Sequence, residues 1–199
     1  MKIKLEKVFS IESSVARGWQ LLQNIPEVAN CMPGAEITEK IDDKHYKGTV
    51  KAKIGPATMI FNGDIEVVEL NNGERKLNMI ARGQDSKGTS SAEMNLHSVI
   101  VGKGSNNCEL QGDAKVVMNG KAASLGGRIM GQVSDYILAE FGKNFTNKVL
   151  ALGEGEKSEN AKLELEKNTG ELNSMVMMWS VIKGFFKNLF GGGKKPGAS

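Results

Sequence analysis

Apolar and polar residues alternate from the start of the chain. Ile3, Leu5, Lys7 and Phe9 interleave with Lys2, Lys4, Glu6 and Val8, which predicts a first strand with a mixed outer face. The period then changes. Val15, Trp19 and Leu22 fall on one helical face behind the cap candidates Ser13 and Ser14, and the helix stops before Pro26, where a second helical turn spans Pro26 to Ala29. From Ala35 to Asn119 the pattern is strand and turn, broken at Asp42-Asp43, Gly55-Pro56, Asn71-Asn72-Gly73, Gly88 and Ser105-Asn106-Asn107, which leaves room for about six strands. Tyr46, Val50, Ala52 and Ile54 share one face of theirs, with Lys47, Thr49, Lys51 and Lys53 on the other. Leu77 with Met79, Met94 with Leu96, and Ala114 with Val116 and Met118 repeat that division. At Asn119-Gly120 the helical period returns and holds to about Leu152 through Leu125, Ile129, Val133, Tyr136, Ile137, Phe141, Phe145 and Val149. The stripe predicts a helix of about thirty residues, roughly 45 Å long.

A sheet with one dry face and a helix with one apolar stripe bury those surfaces against each other. The expected fold class is therefore α+β: a curved antiparallel sheet of about seven strands wrapped around a long C-terminal helix. The pattern fits both a solid core and a cavity between sheet and helix, since core methionines fill gaps as readily as they line pockets, and this chain has ten.

Composition narrows the chemistry. A formal net charge of +3, without a basic recognition helix or an RNP-type aromatic motif, argues against nucleic acid as a partner. Cys31 and Cys108 have no paired spacing, and His45 and His97 lie far from both in sequence, so neither a metal site nor a Cys–His nucleophile is expected, and no carboxylate motif orients either histidine. No catalytic residue is assigned. The N-terminus MKIKLEKVFSIE does not read as a signal peptide, and the expected location is cytoplasmic.

Several segments, in this order, carry a family resemblance: Cys31-Met32-Pro33-Gly34-Ala35; Gly48-Thr49-Val50-Lys51-Ala52-Lys53-Ile54-Gly55-Pro56 leading into Phe61-Asn62-Gly63; Gly83-Gln84-Asp85 with Gly88; and Gly120-Lys121-Ala122-Ala123-Ser124-Leu125-Gly126-Gly127-Arg128. Together they resemble the G-subunit family of carbon monoxide dehydrogenase over about Met1 to Leu152. The resemblance implies the helix-grip fold of the START-like (SRPBCC) superfamily, whose members hold a lipid, sterol, quinone or other hydrophobic molecule between sheet and helix. It implies a non-covalently held quinone or other lipid and no covalent cofactor, with a molybdenum-containing carbon monoxide dehydrogenase or related hydroxylase as partner. The candidate ligand contacts are then Met59, Phe61, Leu77, Met79, Met94, Leu96, Val116, Met118, Leu125, Ile129, Met130, Val133 and Ile137. The chain shows no cysteine set for an iron–sulfur cluster, no haem-attachment motif and no nucleotide-binding glycine fingerprint, in keeping with a protein that is not itself a redox catalyst.

Individual features carry two readings each. Glycines 120, 126, 127 and 131 open the long helix, where each costs about 1 kcal/mol relative to alanine. They allow either a close approach to a ligand or close packing of helix on strand. Asp85 is either a surface-turn carboxylate or a partner of Arg82 or Arg128 over a greasy pocket. Lys47, Lys51 and Lys53 form a basic row on the wet face, ordinary for a solvated sheet.

Residues 153–170 are polar, charged and bounded by glycines, which predicts a flexible linker with at most one or two helical turns around Ala161 to Lys167 and a reach of roughly 23 Å. Beyond it, Leu172 to Ser199 holds four lysines and no acid. Met175, Met178, Trp179, Ile182, Phe185, Phe186, Leu189 and Phe190 gather on one side of a helical wheel, with Lys183 and Lys187 on the other and Lys194 and Lys195 following. This composition suits an amphipathic helix lying in a membrane interface better than a span, and these residues are the candidate membrane contacts. A fold back onto the core or a groove on a partner protein are the alternatives. The sequence thus suggests a carrier of a hydrophobic ligand, attached peripherally to the inner face of the cell membrane, that links a dehydrogenase to the quinone pool. An anchor without ligand and a general lipid-binding or transfer protein are the alternatives, and an enzyme would need an acid or base in the pocket, for which Asp85 and His97 are the candidates.

Overall fold

A computed structural model describes residues 1–54 and 57–170, without the side chains of 53, 54, 57 and 168–170. The amphipathic segment 171–199 lies outside the described residues. The elements run β1 (Lys2–Ile11), α1 (Val15–Leu22), α2 (Ile25–Ala29), β2 (Ala35–Lys40), β3 (His45–Ile54), β4 (Ala57–Asn71), β5 (Lys76–Asp85), β6 (Ser90–Gly102), β7 (Cys108–Gly120), a 3₁₀ turn (Ala123–Leu125), α3 (Gly127–Ala151) and α4 (Glu156–Gly170). Seven strands form one antiparallel sheet in the order β1-β7-β6-β5-β4-β3-β2, wrapped around α3, as the alternation of apolar residues predicts.

Local chemistry sets the short helices. The Ser14 hydroxyl accepts the Arg17 N–H at 3.4 Å, and the Asn24 side chain accepts that of Glu27 at 3.3 Å ahead of Pro26 in the first turn of α2. These helices close one end of the sheet. There Ile11, Leu22, Leu77, Ile100, Cys31, Cys108, Phe145 and Val149 are fully buried, and the half of α3 that follows Phe141 seals the core. Gly142 lets α3 settle on β1, because a Cβ there would collide with the Phe9 ring, which packs edge-on against Phe141 at 5.9 Å between centroids.

Two boundaries differ from the pattern. The long helix does not start at Asn119: Gly120 still pairs with Ser90, so β7 runs on, a left-handed Gly120 (φ 72°) turns the chain, and α3 begins at Gly127. At 25 residues it is ~37 Å long. Residues 156–170 are also a helix of 15 residues and not one or two turns. Packing decides this, since α4 lies back along α3 with Ala161 buried, and the buried Ser158 hydroxyl is 3.2 Å from the Ala151 carbonyl and 2.9 Å from that of Gly153, just past the end of α3. Lys157 pairs with Glu12, and Glu164 with Lys167, so the charges of the segment stabilise the helix.

Candidate functional site

Inward-facing small residues create space inside the sheet. Across adjacent strands Gly48, Gly63, Gly83 and Ala92 stand opposite one another before Met118 completes the row. At Gly63 a Cβ would come within 2.7 Å of the Gly83 Cα, so only glycine permits this approach of β4 to β5. The parallel row Tyr46–Ile65–Ala81–Met94–Val116–Ile3 again places alanine at its middle. The first half of α3 spans this depression without filling it, and a cavity of about 430 Å³ lies beneath.

The cavity divides the core in two. On one side is the closed end; on the other, a smaller cluster of Met118, Ala122 and Met130 packs with Met1, Ile3, Met59, Phe61 and Leu125. Val50 faces inward on β3 yet is 38% exposed, while α3 leans on β1 and α1, so the cavity opens between β3 and the first turns of α3.

Of the candidate contacts, Met59, Phe61, Leu77, Met79, Met94, Leu96, Val116, Met118, Met130, Val133 and Ile137 line this cavity. Leu125 and Ile129 do not. Leu125 sits in the 3₁₀ turn before the helix, and Ile129 is 41% exposed. A row of i,i+4 positions drifts by about 40° per step on a helix of 3.6 residues per turn, so the row that is buried at Val149 and Phe145 has rotated away by Ile129. Met130 and Ser134 take the inward positions instead. Pattern reading also missed Lys7, in phase with the apolar residues of β1 and part of the cavity wall. The Ser98 hydroxyl, also in the wall, donates to the Leu77 carbonyl at 3.2 Å.

The other chemical groups lie elsewhere. Asp85 is neither a surface carboxylate nor the partner of Arg82: it is 5% exposed and accepts the Thr89 hydroxyl at 2.8 Å, while Arg82 bridges Glu66 and Glu93 on the outer face. His97 is on the outer face with Nδ1 2.9 Å from Asn78. His45 is held by a carboxylate after all, its Nδ1 being 2.9 Å from Asp42, because the β2–β3 hairpin brings the two together; the hydrogen bonds from His45 and from the backbone N–H of Lys44 hold the Asp42 carboxyl below its usual range. Burial pushes the Cys31 thiol up to about 12, and its Sγ donates to the Glu27 carbonyl. Burial likewise raises Cys108. Neither is a nucleophile at neutral pH. Glycines 127 and 131 have open space where a Cβ would stand, so helix-on-strand packing does not account for them. Lys47 pairs with Glu39 at 2.8 Å. Among the described residues no cluster could hold a metal ion, and no helix is long and apolar enough to cross a membrane.

Residues 8–150 match the sequence family of the carbon monoxide dehydrogenase G subunit, CoxG. The chain belongs to the CoxG family. A comparison with curated protein sequences gave no match. The fold of this CoxG-family chain recurs in solved structures. A conserved protein from Geobacillus kaustophilus superposes with a TM-score of 0.66 at 17% identity, over 74% of this chain and 95% of that one. A START superfamily protein from Mycobacterium smegmatis gives 0.53 at 15%, covering 75% and 99%. The Zhui aromatase/cyclase from Streptomyces sp. R1128 gives 0.52 at 10%, covering 75% and 92%. At these identities the likeness concerns the fold, so the CoxG cavity must be read from its own residues.

Proposed function

We propose that this protein carries a hydrophobic molecule, a respiratory quinone, and brings a carbon monoxide dehydrogenase-type molybdenum hydroxylase to the membrane so that its electrons reach the quinone pool. The CoxG family and the START-like fold support the coarser reading of a hydrophobic ligand-binding protein linked to carbon monoxide dehydrogenase. The cavity is the observation that carries the rest. Covering the apolar wall of this 430 Å³ cavity with an apolar ligand removes that surface from water, which is favourable by about 25 cal/mol per Å². Water is a poor occupant, since the wall is mostly aliphatic and methionine side chains that offer it few hydrogen bonds. An apolar ligand with a small polar head fits: methionines 59, 79, 94, 118 and 130 adapt to its body, and Lys7 and Ser134 offer donors to a carbonyl oxygen. Asp85 and His97, the acid–base candidates of an enzymatic reading, lie outside the cavity wall.

The protein purified from a quinone-producing host and extracted into organic solvent should release quinone close to one per chain, measured by mass spectrometry. Protein from that host with its cavity empty, or filled with membrane phospholipid alone, would refute the quinone reading. Deleting residues 171–199 should weaken membrane association strongly and leave capture of the dehydrogenase intact.

A further inference from the structure

The two ends of the sheet differ in charge. Thr49, Asn62, Gln84, Ser91 and Asn119 form a cross-strand row that Glu36 ends on β2, and beyond it lie the tips of the β3–β4 and β5–β6 hairpins, the exit of β7 and the first turns of α3. Lys51, Lys87, Lys121 and Arg128 are exposed here, and among the described residues beyond the row the one carboxylate is Asp85, buried against Thr89. No ion pair among the described residues uses Lys51, Lys87 or Lys121. The opposite end mixes signs and pairs them, as in Lys157–Glu12, Lys40–Asp43 and Lys103–Glu109.

The basic end is also where apolar side chains reach solvent. Val50 and Ile129 are 38% and 41% exposed there, Ile60 is 37% exposed on the outer face beside Lys51, and glycines 126, 127 and 131 leave the start of α3 without side chains above it, next to the Val50 wall of the cavity. Ser158 meets Ala151 whereas Glu164 feels the charge of Lys143, so α4 runs back along α3 and delivers the chain to this side.

We propose that this end of the domain is a docking surface for an anionic lipid bilayer, holding the cavity mouth against the membrane. Cations around exposed apolar tips suit phospholipid head groups, each lysine attracted electrostatically while the tips enter the interface. A ligand drawn from the bilayer then passes into the cavity without crossing water. The surface belongs to the folded domain and is separate from the candidate contacts of residues 175–195. Its use in ligand transfer rests on the carrier reading; its existence does not.

The test uses the full chain and quinone-free vesicles of 30% phosphatidylglycerol in phosphatidylcholine, so that an unoccupied cavity leaves the result unchanged. Lys51→Glu/Lys87→Glu/Lys121→Glu should weaken vesicle binding by about tenfold or more, since each lysine near an anionic surface matters severalfold. The control Lys44→Glu/Lys115→Glu/Lys162→Glu, with the same charge change elsewhere, should bind within about twofold of wild type. Lys51→Gln/Lys121→Gln, a milder change at exposed positions, should show an intermediate loss with an unaltered melting temperature. Equal losses in the two triples would reduce the effect to net charge and overturn the proposal, as would unchanged binding by the first triple. Unchanged vesicle binding together with loss of a co-purifying protein would assign the surface to a protein partner, and overturns it too.

Discussion

Ala81 lies in the middle of the inner face of β5, between Ile65 and Met94 of the adjacent strands, and is only half-buried because it borders the cavity. Replacing it with phenylalanine adds roughly 100 Å³ of side chain, about a quarter of the space available, and burying the ring against the cavity wall contributes on the order of 2 kcal/mol. For a domain of this size that raises the melting temperature of the ligand-stripped protein by about 4–8 °C. The same ring occupies the volume a ligand needs, so ligand recovered by mass spectrometry should fall at least about tenfold, and added ligand should no longer raise the melting temperature as it does for wild type. Thermal unfolding of stripped wild type and Ala81→Phe, with and without a short-chain quinone, measures both effects. If the stripped variant is instead destabilised by about 1–3 kcal/mol, the site is already packed and the reasoning from an open cavity fails.

Three further outcomes follow from the geometry. Gly63→Ala should destabilise by about 3 kcal/mol or more in denaturant titration, since the new methyl meets the backbone of β5 and no rotamer change relieves it. Cys31 is protonated in the fold up to about 12, whereas the unfolded thiol ionises near its ordinary value of 9.0. The unfolded state therefore binds fewer protons between these values, so stability present below pH 9 should decline as pH rises toward 12, and Cys31→Ala should flatten that part of the profile. Ser158→Ala should cost about 1–2 kcal/mol and speed amide exchange in α4 while leaving that of β5 and β6 unchanged, because its hydroxyl ties the start of α4 to the end of α3.

Period alone made most of this fold legible. Each strand's alternation fixed which residues face α3, because a strand has only two faces, and eight of the eleven cavity-lining positions read from the resemblance and the pattern, those on strands, follow from that constraint. Helical phase was less secure: a stripe of i,i+4 residues rotates around the axis, and Ile129 fell off the buried side. The helix over 156–170 was hidden by its polar composition, since among its described side chains only Ala161 and Ser158 are buried and most of the others are solvated.

What the chain determined by itself was therefore local: strand alternation, caps at Ser14 and Asn24, the turns, and the charge of each segment. The tertiary structure decided everything that depends on long-range register. Gly48, Gly63, Gly83 and Ala92 are scattered along more than forty residues and become a depression only when pairing sets them side by side. Lys51, Lys87, Lys121 and Arg128, ordinary surface residues in sequence, form one basic surface only because antiparallel strands bring alternate turns to the same end. Whether α3 fills the sheet or spans it depends on its height above β1, set by Gly142 against Phe9, a contact 133 positions apart that no local pattern encodes.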